Sequence, residues 1–404
     1  MAEPAKLEFL TRNRESGAFK TLEIDSSQVY LQFRPKRLPP ADWELRPQPR
    51  GADGKENFVL RSTRRDRYLL LNEREYFLWL QFDGAHSLSE IGRGFHHRFG
   101  AFDYAIIGQF IGKLHNAGLI EDFGERDLRT RGAGFERGGW FTALKQLARR
   151  WQRLSFRLSS ADRYCAAVYR GGGFLLFNWF ALGAIIALTI AAMMAASHLW
   201  REAKTISARL VGAPWLSAGT IAATLLLVSV LHVSVHALAC KAYGRRVREI
   251  GFFLLQGVLP TFYADVTDIF MASRKARIVV DLAGPLVEVV AGSAAFLGAY
   301  YAPPGVGQSL LFAIGIVLWE GALLNLYPFN FLEMDGYNVL ADLLAMPALR
   351  QQALGLLSRH ATARSERRQA VNWIHWAYLV LCFLSALVYV VLHLDMIGIT
   401  LWKN

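Results

Sequence analysis

Cysteine is scarce in this chain, and its scarcity removes two structural options. The sequence contains three cysteines, Cys165, Cys240 and Cys382, which are far apart and form no CxxC pair. Neither a disulfide framework nor a cysteine-rich zinc site is indicated, and the cysteines do not reveal the redox compartment. The first thirty residues also lack an apolar core of the signal-peptide type, because acidic and basic residues are spread through them. We therefore expect the amino terminus to stay in the cytoplasm.

Apolar residues, in contrast, are abundant. They make up 53% of the chain, and the mean hydropathy is positive. A bilayer-spanning helix needs about 20 such residues in a row, and five stretches meet this requirement. The alternative, buried helices of a large soluble core, is disfavoured by so many long runs. The predicted spans are Phe174–Ala196, Leu216–Cys240, Ile278–Ala302, Ser309–Leu326 and Trp373–Leu394.

The net charge of +12 is concentrated beside these apolar stretches, which favours a membrane surface over nucleic acid as the reason for it. The basic clusters lie before the first span and at Lys241–Arg248, Arg274–Arg277 and Arg350–Arg368. All of them fall on one side of the membrane if the amino terminus is cytoplasmic, as the positive-inside rule requires. A smaller group on the opposite side, Arg201, Lys204 and Arg209, argues the other way. The carboxyl terminus is then expected outside.

The segment before the first span has a different pattern. Between Trp140 and Leu158, apolar residues recur at helical spacing and the other positions carry arginine and lysine without one acid. This pattern predicts an amphipathic helix on an anionic cytoplasmic leaflet, with a solvated linker helix as the alternative. The preceding stretch Gly124–Gly139 is rich in glycine and arginine and is predicted to be a flexible joint.

Residues from about Pro40 to Phe123 have the texture of a soluble domain. Two strand-like segments, Phe58–Leu60 and Tyr68–Leu71, precede three helical patterns, and a possible last strand is Leu119-Ile120. Two of the helices have predicted capping boxes, in Asn72 with Glu75 and in Ser87 with Glu90, and Gly118 is predicted to end the third. Two strands and three helices suggest a small winged-helix domain, a fold that can bind DNA or a peptide.

Four motifs in this domain resemble the PqqD-like peptide-binding domains. They are Leu70–Glu73, Phe82–Gly84, Leu88–Ile91 and Leu114–Ile120. The resemblance implies that the leader of a ribosomally made peptide is held as an added strand beside the sheet. A purely structural or regulatory domain is the alternative. DNA binding is disfavoured because Arg61–Arg67 is the only dense basic patch in the domain.

Two histidines near the predicted cytoplasmic end of the second span suggest a metal site. His232 and His236 are four residues apart, so both imidazoles lie on one helical face and can hold one zinc ion. A histidine pair could instead hydrogen-bond to neighbouring helices, but polar groups at this depth are costly, which favours a functional role. The segment Asn325–Tyr337 leaves the fourth span on the same predicted side and contains Asp335. The three side chains can therefore meet.

Together these motifs resemble the site-2 proteases, which are intramembrane zinc metalloproteases with an HExxH helix and a later asparagine-proline and Asp-Gly motif. The likeness continues through Tyr243–Gly251 and Ala283–Pro285. By resemblance, zinc would be bound by His232, His236 and Asp335. Asn325 and the loop near Pro328 would line the substrate groove.

One position departs from this family. The residue after the first histidine is a glutamate in the family and takes a proton from the zinc-bound water, whereas here it is Val233. General-base assistance is typically worth about 10²- to 10⁴-fold, so peptide hydrolysis should be severely weakened unless another acid substitutes. Glu320 and Glu333 are the predicted substitute bases, with Glu320 alternatively a buried acid paired to another helix. The other available acids are Glu288 and Asp281.

Two residues near the histidines, Ser234 and Cys240, also have side chains that could take part in chemistry. Ser234 is disfavoured as a nucleophile because it points about 100° away from His232 around the helix. Cys240 continues the four-residue spacing of the histidines and is either an extra ligand, a redox-sensitive neighbour or a packing residue.

These observations predict a mainly α fold: a polytopic helical membrane domain of about five spans with an amino-terminal α+β winged-helix-like domain. The predicted boundaries are an extension over 1–39, a PqqD-like domain over 40–123, a linker over 124–170 and a site-2-protease-like domain over 171–404. We expect an integral protein of the bacterial inner membrane that acts in maturation or transport of a peptide. The alternatives are a non-catalytic pseudoprotease that binds a peptide for a modifying enzyme or exporter, and metal chemistry other than proteolysis. Nucleic acid is not an expected partner.

Overall fold

The computed structural model describes residues 6–12, 19–25, 32–100, 104–120, 156–158, 160–255, 259–357 and 373–396. Contacts divide the chain into two units, Met1–Gly134 and Phe135–Asn404. The predicted joint over Gly124–Gly139 and most of the predicted amphipathic helix lie outside the described residues.

The first unit contains a hairpin and a three-stranded sheet. Strands β1 (Lys6–Arg12) and β2 (Phe19–Asp25) pair antiparallel. The sheet has the order β3-β4-β5, again antiparallel, with β3 at Trp43–Pro47, β4 at Asn57–Ser62 and β5 at Arg67–Asn72. Strand β3 was not predicted. Leu119-Ile120 forms no strand. Ile120 makes a single β-bridge with Arg37, because the segment around Arg37 runs beside it for only one residue pair.

Three helices follow the sheet: α1 (Glu73–Gln81), α2 (Leu88–Phe99) and α3 (Tyr104–Ala117). Both predicted capping boxes are confirmed. The Asn72 and Ser87 side chains accept from the backbone amides of Glu75 and Glu90, and the carboxylates of these glutamates accept from the backbone amides of Asn72 and Ser87. Gly118 follows α3 with a φ of 65°, the left-handed conformation that glycine adopts without a steric cost.

The core of this unit is assembled from both layers. Leu60 and Leu71 from the sheet pack with Trp79, Phe95 and other fully buried side chains of the helices. Burying each large apolar side chain stabilises the unit by about 1.5–3 kcal/mol. The core is therefore completed within this segment.

The second unit is mainly helical, and five of its helices are long and apolar enough to cross a membrane. These helices are α5 (Trp179–Trp200), α7 (Pro214–Ala242), α8 (Arg274–Tyr301), α9 (Val306–Leu326) and α12 (Trp373–Met396). The shorter helices are α4 (Ala161–Arg170), α6 (Ala203–Ala208), α10 (Asp335–Leu344) and α11 (Leu349–Gly355). The fold-class prediction is confirmed, and the five helices indicate an integral membrane protein.

Two local predictions in this unit need correction. The first span begins at Trp179 rather than Phe174, because the Asn178 side chain accepts from the Ala181 amide and caps the helix there. The predicted amphipathic helix does not reach Leu158. Phe156–Leu158 is strand β6, whose backbone pairs with β7 (Ile250–Leu255), and β7 pairs with β8 (Leu259–Ala264).

Helix α8 occupies the centre of the unit and packs against α5, α7, α9 and α10. Small residues allow the close approach to α9. A Cβ at Gly292 would lie 2.5 Å from Trp319 Cδ1, and one at Gly315 would lie 2.9 Å from the Phe296 ring. Such contacts let backbones approach closely in membrane helices. Helix α8 also packs against α7, directly beside the face of α7 that carries the two histidines.

Candidate metal centre

His232 and His236 lie on one face of α7, as their spacing predicts. Their Nε2 atoms are 3.0 Å apart, and the rings meet edge to face. Two imidazole nitrogens that converge at this distance can bind the same metal ion.

Asp335 is the first residue of α10 and completes the group. Its Oδ2 lies 3.3 Å from Nε2 of His232 and 3.6 Å from Nε2 of His236. Burial raises the pKa of Asp335, but its contacts with the two histidines lower it to about 2, so the carboxylate is charged at neutral pH. The group brings together two nitrogens and one oxygen from segments that are far apart in sequence.

The start of α10 is positioned by a close backbone approach. A Cβ at Gly336 would lie 2.2 Å from the Leu326 carbonyl oxygen, so only glycine allows α10 to begin against the end of α9. The loop between these helices is also tied down: Arg350 donates to the Phe331 carbonyl, and Tyr378 donates to the Asn330 carbonyl. The segment that carries Asp335 is therefore fixed in position by these contacts.

The backbone of α8 orients His236. Its Nδ1 lies 2.7 Å from the carbonyl oxygen of Val280, which requires the proton on Nδ1 and leaves the Nε2 lone pair facing Asp335. A carbonyl that accepts from the second nitrogen of a histidine is the usual support of a metal ligand.

Gly284 leaves room at the point where the three side chains converge. A Cβ there would lie 2.2 Å from Nε2 of His236 and 2.5 Å from Nε2 of His232. The side chain of any other residue would occupy the space that a metal ion bound by the three side chains needs. The donor set suits zinc, which takes histidine and carboxylate ligands and keeps one position open in catalytic sites.

Glu288 lies one turn further along α8. Its Oε1 is 3.2 Å from Nδ1 of His232, and both carboxylate oxygens accept from the Asn325 amide at 3.0 Å. Sequence reasoning named Glu288 only as an available acid and missed this role for Asn325. The signal was present in the spacing Asp281, Gly284 and Glu288, which places all three on one face of α8.

The two predicted substitute bases have other contacts. Glu320 accepts from the Tyr389 hydroxyl at 3.3 Å, and Glu333 forms an ion pair with Arg350. Pro328 lies half-buried in the loop before α10. The catalytic roles of Glu320 and Glu333, and the groove roles of Asn325 and Pro328, stay predictions.

Neighbouring candidates have local partners. The Cys240 thiol donates to the Arg246 carbonyl at 3.5 Å in a buried cluster. Ser234 donates to the Val230 carbonyl of its own helix at 2.7 Å. Among the described residues, the metal-binding group comprises His232, His236 and Asp335 without Cys240.

Comparison with known proteins gives one informative similarity. A protein of Bacillus subtilis (strain 168) named "Putative peptide zinc metalloprotease protein YydH" is 26% identical to this chain over 119 residues. The match covers 29% of this chain and 44% of the relative, so it spans less than half of that protein. No family model matches the chain, and no solved structure matches it. The similarity is distant and partial, and the description as a putative peptide zinc metalloprotease belongs to that relative.

Proposed function

We propose that this chain is a membrane-embedded zinc-binding protein of the site-2-protease type that acts on a peptide during its maturation or transport. The observation that carries the proposal is the convergence of His232, His236 and Asp335 beside Gly284, where a side chain is sterically excluded. The name of the Bacillus subtilis relative supports both the metal and the peptide.

His232, His236 and Asp335 would hold the zinc ion. When bound, zinc supplies a Lewis acid that polarises a carbonyl group and activates water. The chain must then supply a group that takes the proton from the attacking water, and Val233 cannot do so.

Asp281 is the acid whose position best suits that role. It lies three residues before Gly284 on the same face of α8, is half-buried, and is within electrostatic range of Asp335. A carboxylate there can accept a proton from water and return it to the leaving amine. Glu320 and Glu333 are the second choice because each already has a partner.

The amino-terminal unit would deliver the peptide. Strand β3 is an outer strand of the described three-stranded sheet, so its far edge can accept an extended leader by main-chain hydrogen bonds. The recipient of the processed or bound peptide would be a modifying enzyme or an exporter.

A second candidate is a non-catalytic pseudoprotease that holds a peptide for such a partner. Val233 favours it, because the family base is missing from its usual position.

Zinc content and peptide cleavage, measured on the same detergent-purified samples, test the proposal. Wild type is compared with His232→Ala, Asp335→Ala and a matched control, His198→Ala. The His198 ring lies on α5, near the Tyr300 ring of α8, and is outside the metal group. We expect one zinc per wild-type and control chain and none in the two ligand variants. A wild type without zinc would contradict the proposal.

Base variants then separate the two candidates. For an enzyme, Asp281→Asn should keep zinc and lose about 10²- to 10⁴-fold in cleavage, with smaller losses for Glu320→Gln and Glu333→Gln. A zinc-loaded wild type that cleaves no leader-containing peptide but binds one supports the pseudoprotease.

A further inference from the structure

A relay of polar side chains links three spanning helices behind the metal-binding group. Asn325 at the end of α9 donates to both oxygens of Glu288 on α8, and Glu288 contacts His232 on α7. The side chains of His232 and Glu288 are only 15% and 13% exposed.

The contact with His232 is made at the nitrogen that faces away from Asp335. Nε2 of His232 points to Asp335, whereas Nδ1 is the buried atom that lies 3.2 Å from Glu288. Nδ1 lacks the alignment of a formed hydrogen bond. An unsatisfied buried polar atom is destabilising, and a small rotation of the ring toward the carboxylate would give Nδ1 a hydrogen-bond acceptor.

The two histidines are thus supported in parallel ways. His236 has a backbone carbonyl at its Nδ1, and His232 has a carboxylate at its Nδ1. Carboxylates and carbonyls that accept from the outer nitrogen of a histidine fix its tautomer and raise its basicity as a ligand.

We propose that Glu288 is the positioning carboxylate of His232 and that Asn325 holds Glu288 in place for that role. The proposal rests on the metal centre proposed above. It also assigns Glu288 to orientation rather than to proton transfer, because its carboxylate lies at the opposite end of the imidazole from Nε2. Asn325 acts on His232 through Glu288 and is a positioning residue as well.

Zinc affinity of the purified full-length chain tests this assignment, measured by competition with a chelator. Glu288→Ala should weaken zinc binding by about 10- to 100-fold, the usual cost of losing such a partner. Glu288→Gln keeps an acceptor oxygen and should lose less. Ser293→Ala removes another buried polar side chain of α8, whose hydroxyl donates to the Val289 carbonyl, and should leave zinc affinity unchanged.

Two further readouts distinguish positioning from general structural damage. The cobalt-substituted Glu288→Ala protein should show a shifted visible absorption spectrum, and the cobalt-substituted Ser293→Ala protein should not. Asn325→Ala should weaken zinc binding in the wild-type background but add nothing in Glu288→Ala, because coupled residues are not additive.

Equal zinc affinity and identical cobalt spectra in wild type and Glu288→Ala would overturn this proposal alone. Additive losses for Glu288→Ala and Asn325→Ala would overturn the relay. Absence of metal from the wild type would overturn the metal centre and this proposal with it.

Discussion

The helix caps of the amino-terminal unit and the polar contacts around the candidate metal site join residues at different distances along the chain. In the amino-terminal unit, the capping boxes join residues three apart, Asn72 with Glu75 and Ser87 with Glu90. In the membrane unit, the bonds from Asn325 to Glu288, from His236 to Val280 and from Arg277 to Asp342 span 37, 44 and 65 residues. Water can satisfy polar groups on the surface of a soluble domain, whereas carboxylate, amide and imidazole side chains in a bilayer are costly unless other helices supply partners. The membrane site therefore depends on how the helices pack.

The largest expected effect comes from filling the space between the histidines. Gly284→Ala places a Cβ 2.2 Å from Nε2 of His236, so we expect complete loss of bound zinc. Gly183→Ala in α5, where nothing lies within 4 Å, is the matched control and should keep one zinc per chain. Metal analysis of both purified variants checks this, and stoichiometric zinc in Gly284→Ala would refute the proposed position of the site.

The second-largest effect is expected from breaking one ion pair in each unit and comparing the losses of stability. Arg277 is 6% exposed and binds Asp342 on α10, whereas Lys113 is 58% exposed and binds Glu75 on α1. Arg277→Met removes the buried guanidinium, leaves the half-buried Asp342 carboxylate without this partner, and should destabilise the packing of α10 by about 3–5 kcal/mol. Lys113→Met should cost about 0–1 kcal/mol because the pair is solvated.

Hydrogen exchange of the full chain, read on α10 and on α3, measures both local stabilities. The double variant Arg277→Met with Asp342→Leu should recover most of the loss. Similar costs for the two single variants would contradict the difference between the units.

A smaller effect is expected from the helix caps. Asn72→Ala and Ser87→Ala each remove an acceptor for a free helix amide and should destabilise α1 or α2 by about 1 kcal/mol. Faster hydrogen exchange in the capped helix, with unchanged zinc content, is the expected result. Loss of zinc in either variant would show that the units are energetically coupled.

The smallest effect is a pH dependence at α4. Burial raises the pKa of Asp162, but the Lys241 ammonium and the Val247 amide outweigh burial, so the net pKa is lowered. A lowered pKa stabilises the fold above the unfolded value of about 3.9, and this contribution is lost as pH falls through the folded value. The effect should be below about 1 kcal/mol because the carboxylate is partly solvated.

Thermal unfolding of wild type and Asp162→Asn checks this expectation. The midpoints should differ at pH 6, and the difference should be smaller at pH 3. An equal difference at both pH values would exclude Asp162 as the titrating group.

Patterns read along the chain predicted much of the fold. Long apolar runs identified the five spanning helices, and residues three apart identified both capping boxes. Strand β3 was missed although Trp43–Arg46 alternates apolar and charged residues, because the run is only four residues long and is followed by a proline. The helical spacing that reached Leu158 was misleading, because pairing of β6 with β7 outweighs local periodicity.

For the candidate site, the sequence by itself determined which residues could serve as ligands, since the spacing of His232 and His236 and their likeness to a known family are local properties. Only the tertiary structure decided which acid and which amide support them. Glu288 rather than Glu320 lies beside His232 because the rotation of α8 and α9 about their axes sets which face meets α7, and that rotation is set by packing at glycines such as Gly292 and Gly315.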